Sequence, residues 1–221
     1  MFKTETHLHT SPVSRCAKLS AKEMLEAYKA ARYTTVFVTN HFAEYHWPEG
    51  LSYPEYIDYF FQGYDEARAI GDGIGLTVLF AVELTLRGNH YLLYHTDKAF
   101  FLAVPHIFTM QVQEFYAYAK EKGVTVIQAH PYRDGACYPT PEYADGIEAI
   151  NANPRHENFD EKCLALAREY DLPISAGSDA HQTVDIGLVA MISDVPITSV
   201  SEYLSLLFSG KLRIMKGDTV L

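Results

Sequence analysis

Along this chain, stretches rich in Val, Ile, Thr and aromatic residues alternate with segments whose apolar residues return every three to four positions, the signatures of strands and of one-sided helices. The pattern predicts strands at residues 3–9, 35–40, 76–84, 91–94, 124–129, 146–151 and 173–176, with further ones near 187–192 and 212–215. Ser20 opens a first helix, and Glu23, three residues on, can reach back to the Ser20 amide as a capping box, turning Leu25, Tyr28 and Ala31 inward. A second helix starts after Ser52, with Pro54 early and Glu55 at the third helical position, and runs towards Gly71. Others are predicted at 110–122, 158–170 and 199–208, with loops at Gly71-Asp72-Gly73, Arg87-Gly88-Asn89 and Tyr138-Pro139-Thr140-Pro141. Strand and helix alternating from end to end imply parallel strands, and seven to nine of them suit a barrel.

Reacting groups in a barrel of parallel strands gather at the carboxyl-terminal ends of the strands. The residues at those ends are His7 and His9, Asn40-His41, Glu83, His130, Asn151 and Ser178-Asp179-Ala180-His181. On a strand, residues i and i+2 face the same way, so His7 and His9 project together, and Asp179 and His181 repeat the spacing. With Glu83 and His130 they form a mixed nitrogen and oxygen set suited to two or three divalent metal ions, Mn²⁺, Fe²⁺ or Zn²⁺. Glu83 follows the apolar run Phe80-Ala81-Val82, where an unpaired carboxylate is costly; bridging two cations would account for it. A lone histidine is most often a surface or hydrogen-bonded residue. The whole set at strand ends points instead to metal.

Composition narrows the picture. With 48% hydrophobic and 21% charged residues and no long polar tract, the chain is expected to fold as a single domain over residues 1–221. Its start lacks a basic segment followed by an apolar run, and no stretch reaches the ~18 apolar residues of a membrane span, so a cytoplasmic location without a membrane partner is expected. Cys16, Cys137 and Cys163 are odd in number and show no CxxC pairing, which predicts reduced thiols. A net charge of −10 argues against a grip on long nucleic acid, which needs Lys and Arg on many phosphates. Ten histidines are the compositional excess that asks for chemistry, because imidazole is the commonest metal ligand.

The segments His7-Leu8-His9-Thr10, Val38-Thr39-Asn40-His41, the Glu83 strand end, Ile127-Gln128-Ala129-His130-Pro131, Gly146-Ile147-Glu148 and Ser178-Asp179-Ala180-His181 span nearly the whole chain. In that order they resemble the polymerase and histidinol phosphatase (PHP) domain family. The resemblance implies an α/β fold, a distorted seven-stranded (β/α) barrel, with a trinuclear metal site at the carboxyl-terminal face of the strands and a metal-dependent phosphoesterase activity. It also implies the ligand sets. His7, His9, Glu83 and Asp179 would hold one cation, Glu83, His90 and His130 a second, and His41 and His181 a third, with Glu83 and Asp179 also counted as catalytic. His90 and His95 flank the strand Tyr91-Leu92-Leu93-Tyr94; His90 is favoured, since the family's ligand often stands just before such a strand.

Many members place an Asp or His five or six residues after the HxH pair, where this chain has Ser14 and Arg15. Cys16, one residue further, is the candidate thiolate ligand, which would favour Zn²⁺ or Fe²⁺ over Mn²⁺; a small buried thiol is the alternative. Arg133 and Arg155 are the candidates for neutralising phosphoryl oxygens, ahead of Arg87 and Arg15, and His156 or His181 could protonate the leaving oxygen. The expected reaction is hydrolysis of a small-molecule phosphoester by a metal-activated water. An amidohydrolase-like C–N hydrolase would call for a bridging Lys at a strand end, where none stands, and a non-catalytic metal-binding module is the remaining alternative. The aromatic helix carrying Tyr53, Tyr56, Phe60 and Gly63 reads as core or subunit contact, with Glu44-Tyr45-His46-Trp47-Pro48 before it as a candidate lid.

Overall fold

The computed structural model describes residues 1–221. In chain order the elements are β1 (Phe2–Leu8), α1 (Ala21–Ala30), β2 (Thr35–Val38), β3 (His41–Phe42), α2 (Tyr53–Ile74), β4 (Thr77–Phe80), β5 (Val82–Leu86), β6 (Asn89–Tyr94), α3 (Lys98–Leu102), α4 (Val112–Glu121), β7 (Thr125–Ala129), β8 (Gly146–Asn151), α5 (Asp160–Glu169), β9 (Ile174–Gly177), β10 (Val189–Ser193), α6 (Val200–Phe208), β11 (Arg213–Lys216) and β12 (Thr219–Val220). They build an α/β fold on two six-stranded sheets, ordered β12-β11-β10-β1-β2-β4 and β3-β5-β6-β7-β8-β9.

Both sheets are mixed, which corrects the expectation of parallel strands throughout. The pairs β1/β2, β2/β4, β3/β5, β7/β8 and β8/β9 are parallel, whereas β6 runs antiparallel to β5 and β7, and β10 runs antiparallel to β1 and β11. The reason at β6 is local. Arg87 and Gly88 connect it to β5 with φ of +54° and +81°, and so short a connection can only join antiparallel neighbours.

Two expected strands are each divided. The run at 35–40 becomes β2 and β3, and the run at 76–84 becomes β4 and β5, so the same chain serves both sheets. Hydrogen bonds cross there from Ala81 N to Val38 O at 3.3 Å and from Glu83 N to Asn40 O at 3.2 Å. On the other side His9 N donates to Ala180 O at 2.9 Å and Ala180 N to His7 O at 3.2 Å, which brings the β9 loop against the end of β1.

The helices start where their caps dictate. The Ser20 amide donates to the Glu23 carboxylate at 2.9 Å, and the Ser52 amide to that of Glu55 at 2.7 Å. α2 runs past Gly71 to a left-handed Gly75, φ +67°; Gly71 is kept inside the helix because a Cβ there would lie 2.3 Å from the Val78 side chain. The short α3 escaped the periodicity reading; Asp97 caps it by accepting the Phe100 amide at 2.8 Å. The aromatic stripe of α2 is core: Tyr56 and Phe60 pack on Phe42 with ring centroids 5.0 and 5.2 Å away. No helix is long and apolar enough to cross a membrane, and the three cysteines are unpaired.

Candidate metal centre

The ends of the strands deliver the histidines and carboxylates to one place. β1 contributes His7 and its continuation His9, β3 His41, β5 Glu83 and β6 His90, while His130 stands just past β7, and Asp179 and His181 just past β9. Two residues before His7, Glu5 Oε1 accepts the amides of Thr6, His7 and Ser178 at 3.0, 2.9 and 2.9 Å, and its Oε2 accepts the Tyr28 hydroxyl at 2.8 Å. Burial pushes this carboxyl up to about 6 against the pull of those bonds. The Ser178 bond ties β1 to the Asp179 loop. Gly177 allows the close approach: a Cβ there would lie 2.5 Å from the His7 Cβ and 2.7 Å from Glu148 Oε1. His130 and Asp179 have φ of +32° and +48°, a conformation that residues with side chains avoid unless the surroundings fix it.

Glu83 lies at the hub. Its Oε1 is 3.4 Å from His7 Nε2, 3.1 Å from His90 Nδ1 and 3.2 Å from His130 Nε2, and its Oε2 is 2.6 Å from His41 Nδ1 and 3.4 Å from His9 Nε2. Asp179 Oδ1 adds contacts of 3.0 Å to His9 Nε2 and 3.5 Å to His7 Nε2. Despite these separations, His7 Nε2, His41 Nδ1, His90 Nδ1 and Glu83 Oε2 are buried without a hydrogen-bond partner, so they face common space rather than one another. Donors sharing one tetrahedral cation stand roughly 3.3 Å apart. Spacing, burial and the nitrogen and oxygen donor set therefore fit divalent cations.

Outer contacts decide which nitrogen of each ring turns inward. His7 Nδ1 meets Glu148 Oε1 at 2.8 Å, His9 Nδ1 meets Ser14 Oγ at 3.3 Å, and His181 Nδ1 donates to the Asp179 carbonyl at 2.8 Å, which turns Nε2 of His7 and His9 towards the carboxylates of the cluster. Ser14 in turn donates to Asn40 Oδ1 at 2.9 Å and accepts the His41 amide at 2.9 Å.

Solved structures share this fold. A two-domain protein from Bacteroides vulgatus containing a predicted PHP-like metal-dependent phosphoesterase is 15% identical, with a TM-score of 0.70 over 99% of this chain and 66% of that one. A lesion-specific endonuclease from Pyrococcus furiosus is 12% identical, with a TM-score of 0.64 over 94% of this chain and 56% of that one. An amidohydrolase from Chromobacterium violaceum is 14% identical, with a TM-score of 0.55 over 97% and 98%. At such identities the likeness is one of fold, and this chain spans only about two thirds of the Bacteroides protein. No curated protein sequence matches the chain. Residues 159–212, however, match the model of a family described as PHP-associated. That match covers 54 of the 221 residues.

Burial opposes ionisation of Glu83, yet His41, His7 and His90 hold it well below the usual carboxylate range, and Arg133 and His7 do the same for Asp179 against burial. Burial, then His41 and His181, push His9 well below the usual imidazole range; burial, then Arg133, push His130 down to about 3. Both rings are thereby kept as lone-pair donors. Cys16, exposed rather than a buried thiol, is drawn down to about 4 against its partial burial by His181, His41 and His46.

The remaining candidates divide by place. Arg133 enters the cluster, with Nη2 2.6 Å from Asp179 Oδ2 and Nε donating to Asn158 Oδ1 at 2.9 Å. Arg155 donates twice to Asp185, at 2.6 and 2.8 Å, and the buried Asp185 accepts the amides of His181 and Gln182 at 2.8 and 3.1 Å. Arg155 thus steadies the His181 loop. His156, 2.6 Å from Asp134, lines a groove of about 860 Å³ with Asn151 and Asn153, and shares a cavity of about 150 Å³ with Cys16, Arg155 and His181. His95 lies elsewhere and meets Ser201 at 3.1 Å; Arg87 donates to the carbonyls of Thr109 and Met110, and the Arg15 guanidinium to that of Trp47.

Sequence reasoning missed four contributors. Glu148 orients His7, and a carboxylate on a wholly buried strand was its signal. Ser14 meets the His41 amide and the His9 and Asn40 side chains, and Asp185 the amides of His181 and Gln182 and the Arg155 guanidinium, contacts that no residue pattern displays. His46 sits in the stretch expected as a lid: it is buried, its ring stacks on His41 at 4.8 Å, and its neighbour Trp47 stacks on Tyr56 at 5.2 Å.

Proposed function

We propose that this chain is a cytoplasmic metal-dependent phosphoesterase that hydrolyses a small-molecule phosphoester, using two or three divalent cations of the Zn, Mn or Fe kind. The observation that carries this reading is Glu83, whose two oxygens meet five imidazoles within 3.4 Å, the surroundings expected of a carboxylate that bridges cations. His7, His9, Glu83 and Asp179 would hold one cation, Glu83, His90 and His130 a second, and His41, His181 and Cys16 a third. When bound, such cations lower the pKa of water towards neutrality and offset charge on a phosphoryl group.

The chain's own groups supply the rest. Arg133, paired with Asp179, presents a guanidinium to an anion at the cluster. His156, exposed against Asp134, is the residue we assign to giving a proton to a departing oxygen. Arg155 acts chiefly through Asp185 on the His181 loop. The shared runs β2–β3 and β4–β5, with the Leu8–Ala180 bridge, support reading the two sheets as one distorted seven-stranded barrel, and the whole chain as one PHP-type domain.

Nucleic acid is the competing substrate class, because the lesion-specific endonuclease shares the fold; the charge of −10 favours a small substrate. The amidohydrolase likeness keeps C–N hydrolysis in view, but no lysine is among the buried residues, where a bridging one would belong. Metal analysis of the purified protein with a mixed panel of phosphoesters and amides separates these readings. Bound metal and phosphate release are expected. Ammonia release without phosphate would overturn the proposal, and bound metal with neither product would leave a binding module.

A further inference from the structure

The cluster meets the surface at Cys16. Cys16, His41 and His46 bring ligand-capable atoms within 4.8 Å of one another, and His9, His41 and His181 do the same on the inner side. The imidazoles nearest the sulfur are not equivalent. His181 donates through Nδ1 to the Asp179 carbonyl, so its Nε2 keeps a lone pair for a cation. His46 is held the other way: its Nδ1 accepts the Arg15 amide at 3.1 Å, so the neutral ring carries its proton on Nε2 and has no second lone pair to offer. That ring is 4% exposed, and the Arg15 bond is the one hydrogen bond its side chain makes. A ring N–H seeks an acceptor, and the Cys16 sulfur lies within 4.8 Å of a His46 ring nitrogen.

Building on the metal-cluster reading above, we infer that His46 is a positioning residue of the third cation site: its Nε2–H donates to the Cys16 sulfur, which stands as a thiolate in a sulfur and nitrogen corner with His41 and His181. The corner selects a zinc-type cation over Mn²⁺, because thiolate is a soft ligand that Mn²⁺ binds poorly. Loading sends to solvent whatever proton Cys16 and its neighbouring imidazoles hold between them, so charge and atoms balance. The Arg15 amide is what fixes the tautomer, and Arg15 directly precedes Cys16, so one short segment supplies the ligand and orients its partner. His46 thus has the role at the sulfur that Glu148 has at His7.

Co²⁺ loading of the full chain tests this by absorption. The wild-type protein is expected to show a sulfur-to-cobalt charge-transfer band, and Cys16→Ser to lose the band together with one equivalent of cation. His46→Leu is expected to keep the band at longer wavelength and to bind that one equivalent of Zn²⁺ about 10-fold or more weakly. His46→Gln, whose amide can donate in place of Nε2, should restore both. Retention of the other cation equivalents reports that each variant is folded. The ¹⁵N shifts of His46 in the Zn²⁺-loaded wild type give a reading that needs no variant, and an Nε2-protonated ring is expected.

An Nδ1-protonated ring would overturn the inference, as would a band and affinity unchanged in His46→Leu. Loss of a whole equivalent in His46→Leu would also overturn it, by making His46 a ligand. A wild-type protein that binds the other equivalents but shows no band would remove Cys16 while leaving the proposed function standing. Binding no cobalt at all would remove both.

Discussion

On β3, His41 turns into the metal centre while its neighbour Phe42 turns the opposite way into the aromatic cluster under α2; on β5, Glu83 parts from Val82 and Leu84 in the same manner. One face of these strands is ring packed on ring, with Phe42 4.4 Å from Phe101 and 5.0 Å from Tyr56. The other face gathers buried carboxylates and imidazoles, and His7 Nε2, His41 Nδ1, His90 Nδ1 and Glu83 Oε2 there lack hydrogen bonds. The first face stabilises the fold by removing apolar area from water. The second costs stability unless cations occupy it, because buried polar groups without partners are expensive. Substitutions on the two faces should therefore fail differently.

The largest separation is expected from Glu83→Ala. Removing the shared carboxylate should cost several kcal/mol of transition-state stabilisation, roughly three orders of magnitude in kcat, while far-UV circular dichroism stays native. His9→Ala should follow it. Phe42→Ala should do the reverse: about 3–5 kcal/mol lost in urea denaturation, with the rise in Tm on adding cations preserved. A Phe42 variant that loses its cation response would mean the two faces are not separable.

Chelation should lower the wild-type Tm by the equivalent of about 2.7 kcal/mol for cations present at ~100 times Kd, and should leave Glu83→Ala nearly unmoved. Gly177→Ala joins the faces, because its Cβ would press on the His7 Cβ from 2.5 Å. A loss of about 1–3 kcal/mol with weakened cation binding is expected, and calorimetry beside metal titration would measure it. Cys16→Ser should have the smallest effect, a partial loss of turnover with one cation equivalent missing; full occupancy would show that Cys16 is no ligand.

The split between the faces was legible in part from the sequence. His7-Leu8-His9 and Glu83 after Phe80-Ala81-Val82 show it because alternation on a strand is a local property, whereas Asp179 and His181 reach the centre from the loop past β9, with Asp179 at φ +48°. The breaks at Asn40 and Ala81 were not legible, since passing from one sheet to the other depends on which neighbours are available. The antiparallel β6 was written locally in Arg87-Gly88, but the overall alternation of strand and helix spoke for parallel order. Arg155 looked like an anion anchor because nothing in the chain between it and Asp185 announces their double hydrogen bond. His46 lies on a short turn with no period to read, so only its stacking on His41 reveals it.

The most direct test is hydrolysis of a panel of small phosphomonoesters and diesters, read as phosphate or alcohol released, by cation-loaded wild-type protein beside Glu83→Ala. The predicted result is turnover that requires added cations and falls by about three orders of magnitude in the variant. Equal release by the two proteins, or none from any phosphoester by a fully loaded wild type, would contradict it.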